Sequence, residues 1–211
     1  MNYVDPDGEK VKIWYKENNS MKAFVYSGKE TILPNNQYVI SVIDAYNYNK
    51  ANWQRSYGSD SPLTNLVERE ESINIMDSGD YDDYFSMSHE TIYWNPKHGM
   101  LSNGIVTSPA TGLAHEADHA VFYLDNNKSS PLSKIPDARY KTAEEKRVIT
   151  GSEQKTARAN REISNNQVTR LSHEGIHVIV NGVTSTTINR LLTDEFKSRQ
   201  RTIELYRYSS D

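Results

Sequence analysis

The sequence contains no cysteine. Disulfides and thiolate ligands are therefore excluded, and any metal must be held by imidazole and carboxylate groups. The absence does not fix a compartment; it suits a protein that works in more than one. No apolar run approaches the ~18 residues that a membrane-spanning helix needs. The opening Met1-Asn2-Tyr3-Val4-Asp5-Pro6-Asp7-Gly8 lacks the basic region and apolar core of a signal peptide. Positive charge is not in excess either. The net charge is −4, and no basic stripe interleaved with aromatics is found, which argues against nucleic acid as a partner. Internal repeats and a second core are lacking. With 211 residues, 36% hydrophobic and 25% charged, the chain is expected to form about one soluble domain.

What is present centres on one stretch, Ser108 to Leu124, which reads as a helix. Ser108 is an N-cap residue and Pro109 suits the first helical position. Ala110, Leu113, Ala114, Ala117, Val121 and Leu124 supply the apolar spacing. Within it, His115-Glu116-Ala117-Asp118-His119 has the form H-E-x-x-H. Four residues apart, His115 and His119 stack on one helical face and can share one ion, with Glu116 beside it as a base. A catalytic zinc takes three protein ligands, so a third must come from elsewhere. Thr142 to about Ile163 reads as a second helix, capped by Thr142, with Gly151 as a possible kink. A short connection packs such a helix against the first. Its glutamates are the candidates: Glu145 is preferred, on a stripe with Ile149 and Glu153, and Glu144 and Glu153 are the alternates. Those same first-turn glutamates also suit the helix dipole without any metal.

A second H-E-x-x-H runs from His173 to His177. Gly175 sits inside it, and Val178-Ile179-Val180-Asn181-Gly182 follows, so Leu171 to Ile188 is expected to be a hairpin closed by Asn-Gly. On a straight strand the two imidazoles lie ~13 Å apart at ~3.3 Å per residue. This second match is therefore expected not to be a metal site.

Elsewhere, Lys10–Tyr15 and Ala23–Tyr26 read as a hairpin around Asn18-Asn19, and Asn35–Trp53 as a helix. Ala51–Arg69 reads as a long loop, Ile73–Met76 as a short strand and Tyr84–Trp94 as one strand stopped by Asn95-Pro96. Lys97–Val106 and Asp125–Pro136 read as connections, and Leu191–Tyr208 as a charged tail of unassigned structure.

The run Thr91-Ile92-Tyr93-Trp94-Asn95-Pro96, then Leu113-Ala114-His115-Glu116 with His119-Ala120, Glu144-Glu145 and Asn160-Arg161-Glu162, resembles the NleD-type effector metallopeptidases over roughly residues 85–170. Asn2-Tyr3-Val4-Asp5-Pro6-Asp7-Gly8 is similar to the segment that ends the core of RHS/YD-repeat proteins, ahead of their variable C-terminal toxin domains. Residues 1–9 are then a remnant of such a core and 10–211 a single metallopeptidase domain. The resemblance implies a zincin-like α+β fold, Zn²⁺ as cofactor, and proteins of a target cell as substrates. It also implies delivery from a bacterial cell as part of a larger secreted protein, and an immunity protein as a possible partner. The edge of Tyr84–Trp94 would pair with an extended peptide. Oxyanion stabilisers are sought among Tyr140, Tyr123, His173 and His177. Asp118, charged where such helices usually carry an uncharged residue, would either oppose the metal site or hydrogen-bond a ligand histidine from behind. Two other readings stand beside this one. One is an inactive tip domain, structural, carbohydrate-binding or zinc-binding; the other is a metal-dependent hydrolase of a non-peptide substrate.

Overall fold

The structure, a computed structural model, describes residues 10–208, with side chains described as far as Arg201. The remnant expected at residues 1–9 lies outside the described residues. The chain opens with β1 (Val11–Glu17) and β2 (Ser20–Tyr26), paired antiparallel. Their turn residues Asn18 and Asn19 both take positive φ, 50° and 62°, the left-handed pair that suits a two-residue hairpin. Then α1 (Gln37–Tyr57) starts on an Asn36 cap and ends on Gly58 at φ 61°. The loop expected over Ala51–Arg69 is not formed. α1 runs to Tyr57, and after a short turn α2 (Pro62–Val67) takes up most of the remainder, capped by Ser61 with Pro62 at its first position. That is the same Ser-Pro start that opens the motif helix.

Next come β3 (Asn74–Met76), β4 (Tyr84–Ser86) and β5 (Thr91–Tyr93). The single strand expected over Tyr84–Trp94 is thus two, folded back at Met87–Glu90, where Glu90 sits at φ 47°. The five strands form one mixed sheet in the order β2-β1-β3-β5-β4, with β1-β3 and β3-β5 parallel. Ile13, Ile75 and Ile92 align across its centre. They meet Val39, Val42 and Tyr46 of α1, Leu63 and Leu66 of α2, and Leu113, Ala117 and Ala120 of the motif helix. β4 is an edge strand and packs against that helix.

The connection expected over Lys97–Val106 is a hairpin of β6 (His98–Ser102) and β7 (Ile105–Thr107). Asn103 and Gly104 turn it at φ 50° and 75°. The motif helix, α3 (Pro109–Asp125), follows, with Ser108 accepting from the Thr111 N–H at 3.3 Å. After a 3₁₀ turn (Pro131–Lys134) and a two-residue ladder of β8 (Pro136–Asp137) and β9 (Lys141–Thr142), the second helix begins. It comprises α4 (Ala143–Val148), a π turn (Ile149–Glu153) and α5 (Gln154–Ala159), capped by Thr142 as expected and ending four residues earlier than Ile163.

The hairpin expected over Leu171–Ile188 is replaced. β10 (Ile176–Ile179) pairs with β6, and only a single bridge, Val180 to Ile188, joins it to the segment read as its return strand. Gly99 permits the close approach, since a Cβ there would meet Val180 Cγ1 at 2.7 Å. The charged tail forms α6 (Arg190–Tyr208), and Phe196 is buried from it. Among the described residues no helix is long and apolar enough to cross a membrane. The architecture is mixed α+β.

Asn160 ties the helices together. Its amide donates to Asn49 Oδ1 and Thr111 Oγ1, both at 3.0 Å, and accepts from Asn52 Nδ2 at 2.8 Å. It is 6% exposed, and Asn49 is fully buried. Replacing it with Ala leaves several buried groups unpaired at ~1–3 kcal/mol each, some of which relax. Asn160→Ala is expected to cost ~2–4 kcal/mol, read as a lower urea midpoint at unchanged m value.

Candidate metal centre

α3 presents His115 and His119 as its spacing dictates, with Nε2 atoms 3.1 Å apart. The first turn of α4 brings Glu145 to them. Its Oε2 lies 3.6 Å from His115 Nε2 and its Oε1 3.5 Å from His119 Nε2. Tetrahedral ligands at ~2.0–2.1 Å from an ion lie about 3.3 Å from one another. The three donors therefore have the spacing of ligands around one ion. Glu145 Oε2 is buried with no hydrogen-bond partner among the described residues. A buried carboxylate oxygen left in that state is costly, and a cation satisfies it.

Glu144 and Glu153, the alternates, stand behind the ligands. Glu144 Oε1 is 3.0 Å from His119 Nδ1, and Glu153 Oε2 is 2.7 Å from His115 Nδ1. A carboxylate on Nδ1–H fixes the ring and its tautomer and leaves Nε2 for the metal. Arg147 clamps Glu144 through Nε at 3.0 Å and Nη2 at 2.8 Å. Arg170 pairs with Glu153 and brings its Nη2 within 3.4 Å of His115 Nδ1. The two buried residues Glu153 and Arg170 compensate each other's charge.

The π turn decides this placement. In an α-helix, eight residues carry Glu153 about 80° around from Glu145. One extra residue in a turn removes roughly one 100° step, so Glu153 returns nearly to the face of Glu145. Thus one helix serves both sides of the His pair.

Asp118 matches neither expectation. Its carboxylate accepts from Arg147 Nη1 at 2.9 Å and from Ser152 Oγ, and so holds the arginine that holds Glu144. Glu116 is 8% exposed, its Oε1 3.9 Å from His115 Nε2 and outside the triangle of donors. Burial raises its carboxyl above the ordinary range, against the pull of both imidazoles. Burial also pushes Glu145 and Glu153 upward, but there it is outweighed. His115 and His119 hold Glu145 far below the usual range, and Arg170 with His115 holds Glu153 at about 2.

His115, His119, Glu116, the three glutamates of the second helix and Arg170 line a cavity of about 710 Å³. Five of the chain's six histidines line it, so it is where imidazole chemistry is concentrated. The second H-E-x-x-H is divided there: His173 Nε2 is 3.8 Å from Glu145, whereas His177 Nδ1 is 3.4 Å from Asp82. Of the four oxyanion candidates, His173 and His177 line the cavity, while Tyr123 and Tyr140 are not among its lining residues. Tyr123 instead donates to Glu90 at 3.3 Å. Arg147, Arg170, Asp83 and His98 are site residues that sequence reasoning missed. His98 precedes an Asn-Gly turn signal, which marks the strand carrying it; Arg170 lies in a segment without periodicity.

Glu162, within the Asn160-Arg161-Glu162 stretch, anchors the start of α3. It accepts from Ser108 Oγ and, at 2.9 Å, from Thr111 Oγ1. Burial lifts its carboxyl from 4.5 to about 7. The fold favours the protonated acid, so this contribution is complete below pH ~4.5 and is lost as pH rises through about 7. The full shift corresponds to roughly 3 kcal/mol, and the partial exposure of the residue cuts this to about 1–2 kcal/mol. Glu162→Gln cannot ionise. Its stability relative to the parent should therefore improve by that amount between pH 4.5 and 8, measured by denaturant melts across the range.

Compared with known protein families, with curated proteins and with solved structures, the chain matches none.

Proposed function

We propose that this chain is a zinc-dependent endopeptidase of zincin-like architecture, of the effector type its motifs resemble. The observation that carries the reading is Glu145, turned toward the Nε2 atoms of His115 and His119 with a buried, unpartnered oxygen, in a cavity that also holds Glu116. His and carboxylate donors at these spacings suit Zn²⁺. When bound, zinc supplies Lewis acidity, acidifying water and polarising a carbonyl.

The protein's own groups supply the rest. His115, His119 and Glu145 hold the ion, and Glu144 and Glu153 keep both rings turned toward it. Glu116 adjoins a ligand without occupying a ligand position, so its carboxylate takes a proton from the attacking water and returns it to the leaving amine. β4 is a sheet edge whose Tyr84 and Phe85 line the cavity, which suits an extended peptide laid along that edge. His173 and His177 are the side chains in the wall available to a developing oxyanion. Target-cell proteins as substrates, delivery within a larger secreted protein and a neutralising immunity protein complete the proposal; they rest on the resemblance alone.

The test is a proteome-derived peptide library incubated with zinc-loaded protein. Internal cleavage, abolished by a chelator and restored by zinc, is the expected outcome. A chain that retains zinc yet cleaves no peptide or unfolded protein in that screen is an inactive binding domain, and the peptidase reading then fails.

A further inference from the structure

The same cavity contains a second group of donors, of which the peptidase reading uses only His177, as one of its two oxyanion candidates. Asp83, in the loop just before β4, His98, at the start of β6, and His177, in β10, each offer one donor atom within 4.8 Å of the others. They come from separate parts of the chain, brought together by the pairing of β10 with β6, which sets Ile179 opposite His98. We propose that Asp83, His98 and His177 form a second divalent-cation site, facing the cavity that holds the His115–His119 centre.

Four observations support it. The donors are two imidazoles and one carboxylate, the set that zinc-class ions take. All three are enclosed, with side chains 8%, 0% and 10% exposed for Asp83, His98 and His177. They are also positioned from behind. Asp83 Oδ1 accepts from Ser78 Oγ at 2.7 Å and from the Asn95 N–H at 3.0 Å, and Asp82 Oδ1 lies 3.4 Å from His177 Nδ1. That last contact repeats, on another element, the way Glu144 backs His119. Finally, His98 Nε2 is buried with no hydrogen-bond partner among the described residues, while its ring stacks on His177 at 4.9 Å and 18°. A purely structural Asp83–His98 pair, 3.2 Å between Oδ1 and Nδ1, leaves that nitrogen and the stacked His177 unexplained.

The electrostatics of the cavity point the same way. Seven carboxylates line it against the two fixed cations Lys141 and Arg170, so one divalent ion leaves the wall strongly negative. A second ion on the opposite donors offsets that charge and offers an additional anchor for an anionic or carbonyl group entering the cavity.

The experiment is metal counting on the full chain, stripped by chelator, equilibrated with zinc alone and freed of loose ion by gel filtration. The parent should retain two equivalents. His177→Gln and Asp83→Asn should each retain one, and the double variant His115→Ala/His119→Ala should also retain one. Cobalt(II) loading gives a second readout: the visible d–d spectrum of the parent should be the sum of the spectra of the two single-site variants. Asp83→Asn and His177→Gln keep side-chain volume, and circular dichroism shows whether each has folded. One equivalent in the parent that is lost in His177→Gln but kept without His115 and His119 supports this site and sinks the other. Zinc content and cobalt spectrum unchanged by His177→Gln and Asp83→Asn overturn the proposal.

Discussion

Glu116→Gln should cut peptide cleavage by 10²–10⁴-fold while leaving metal content at the parent level. The size of the effect is that of a lost general base, and the separation of the two readouts follows from position. The Glu116 carboxylate is 3.9 Å from His115 Nε2, whereas the Glu145 oxygens lie closer to both ligand nitrogens, so the metal is held without Glu116. Glutamine keeps the volume and hydrogen-bonding reach of a residue that is 8% exposed, so no cavity opens in α3. It cannot accept a proton. A variant that loses metal and activity together would make Glu116 a ligand; one that keeps full activity would remove it from the chemistry.

The part of this arrangement that was legible in the sequence is the part governed by local periodicity. His115 and His119 lie one helical turn apart whatever surrounds them, and the Ser108-Pro109 start and Thr142 cap behave as capping chemistry requires. Glu145 is the glutamate that the fold turns toward both Nε2 atoms, although the stripe argument that singled it out assumed a regular α-helix. The π turn over Ile149–Glu153 has no sequence period of its own; it decides that Glu153 backs His115, beyond the reach of a pattern reading. Elsewhere, equal local signals have unequal structural outcomes. Ser61-Pro62 opens α2 just as Ser108-Pro109 opens α3, and Asn103-Gly104 turns a hairpin that Asn181-Gly182 does not. Tertiary pairing settled the latter, because β10 finds β6, 74 or more residues earlier in the chain, rather than the segment beside it. Asp83, His98 and His177 illustrate the remaining gap. No sequence pattern joins them; the β10–β6 register sets His177 beside His98, and Asp83 reaches His98 through its hydrogen bonds to the Asn95 N–H and the His98 ring.

Substituting the three glutamates one at a time should separate ligand from support. An apparent zinc-binding free energy of ~10–16 kcal/mol over four ligands amounts to ~3 kcal/mol for each. Glu145→Gln should accordingly weaken zinc binding by roughly 10²–10³-fold, since an amide oxygen donates poorly and carries no charge. Glu144→Gln and Glu153→Gln should each weaken it by only about 10–100-fold, the range for residues that orient a ligand. The two support variants should also differ from each other. Glu144 is backed by Arg147, whose guanidinium keeps a second partner in Asp118 and lies over the Phe122 ring, so Glu144→Gln should cost little stability. Glu153 is the main counter-charge of Arg170, which is 7% exposed; its other hydrogen-bond partners among the described residues are a backbone carbonyl and His115 Nδ1, with Glu145 and Glu116 acting on it through space. Neutralising Glu153 strands that buried cation, and a loss of ~3–5 kcal/mol in the metal-free protein is expected, visible as a lower denaturation midpoint. Competition against a chelator of known affinity gives the binding side of the comparison. If Glu153→Gln or Glu144→Gln loses more affinity than Glu145→Gln, the ligand assignment moves to that residue, and the arrangement in which Glu145 faces both Nε2 atoms is not the one that holds the ion.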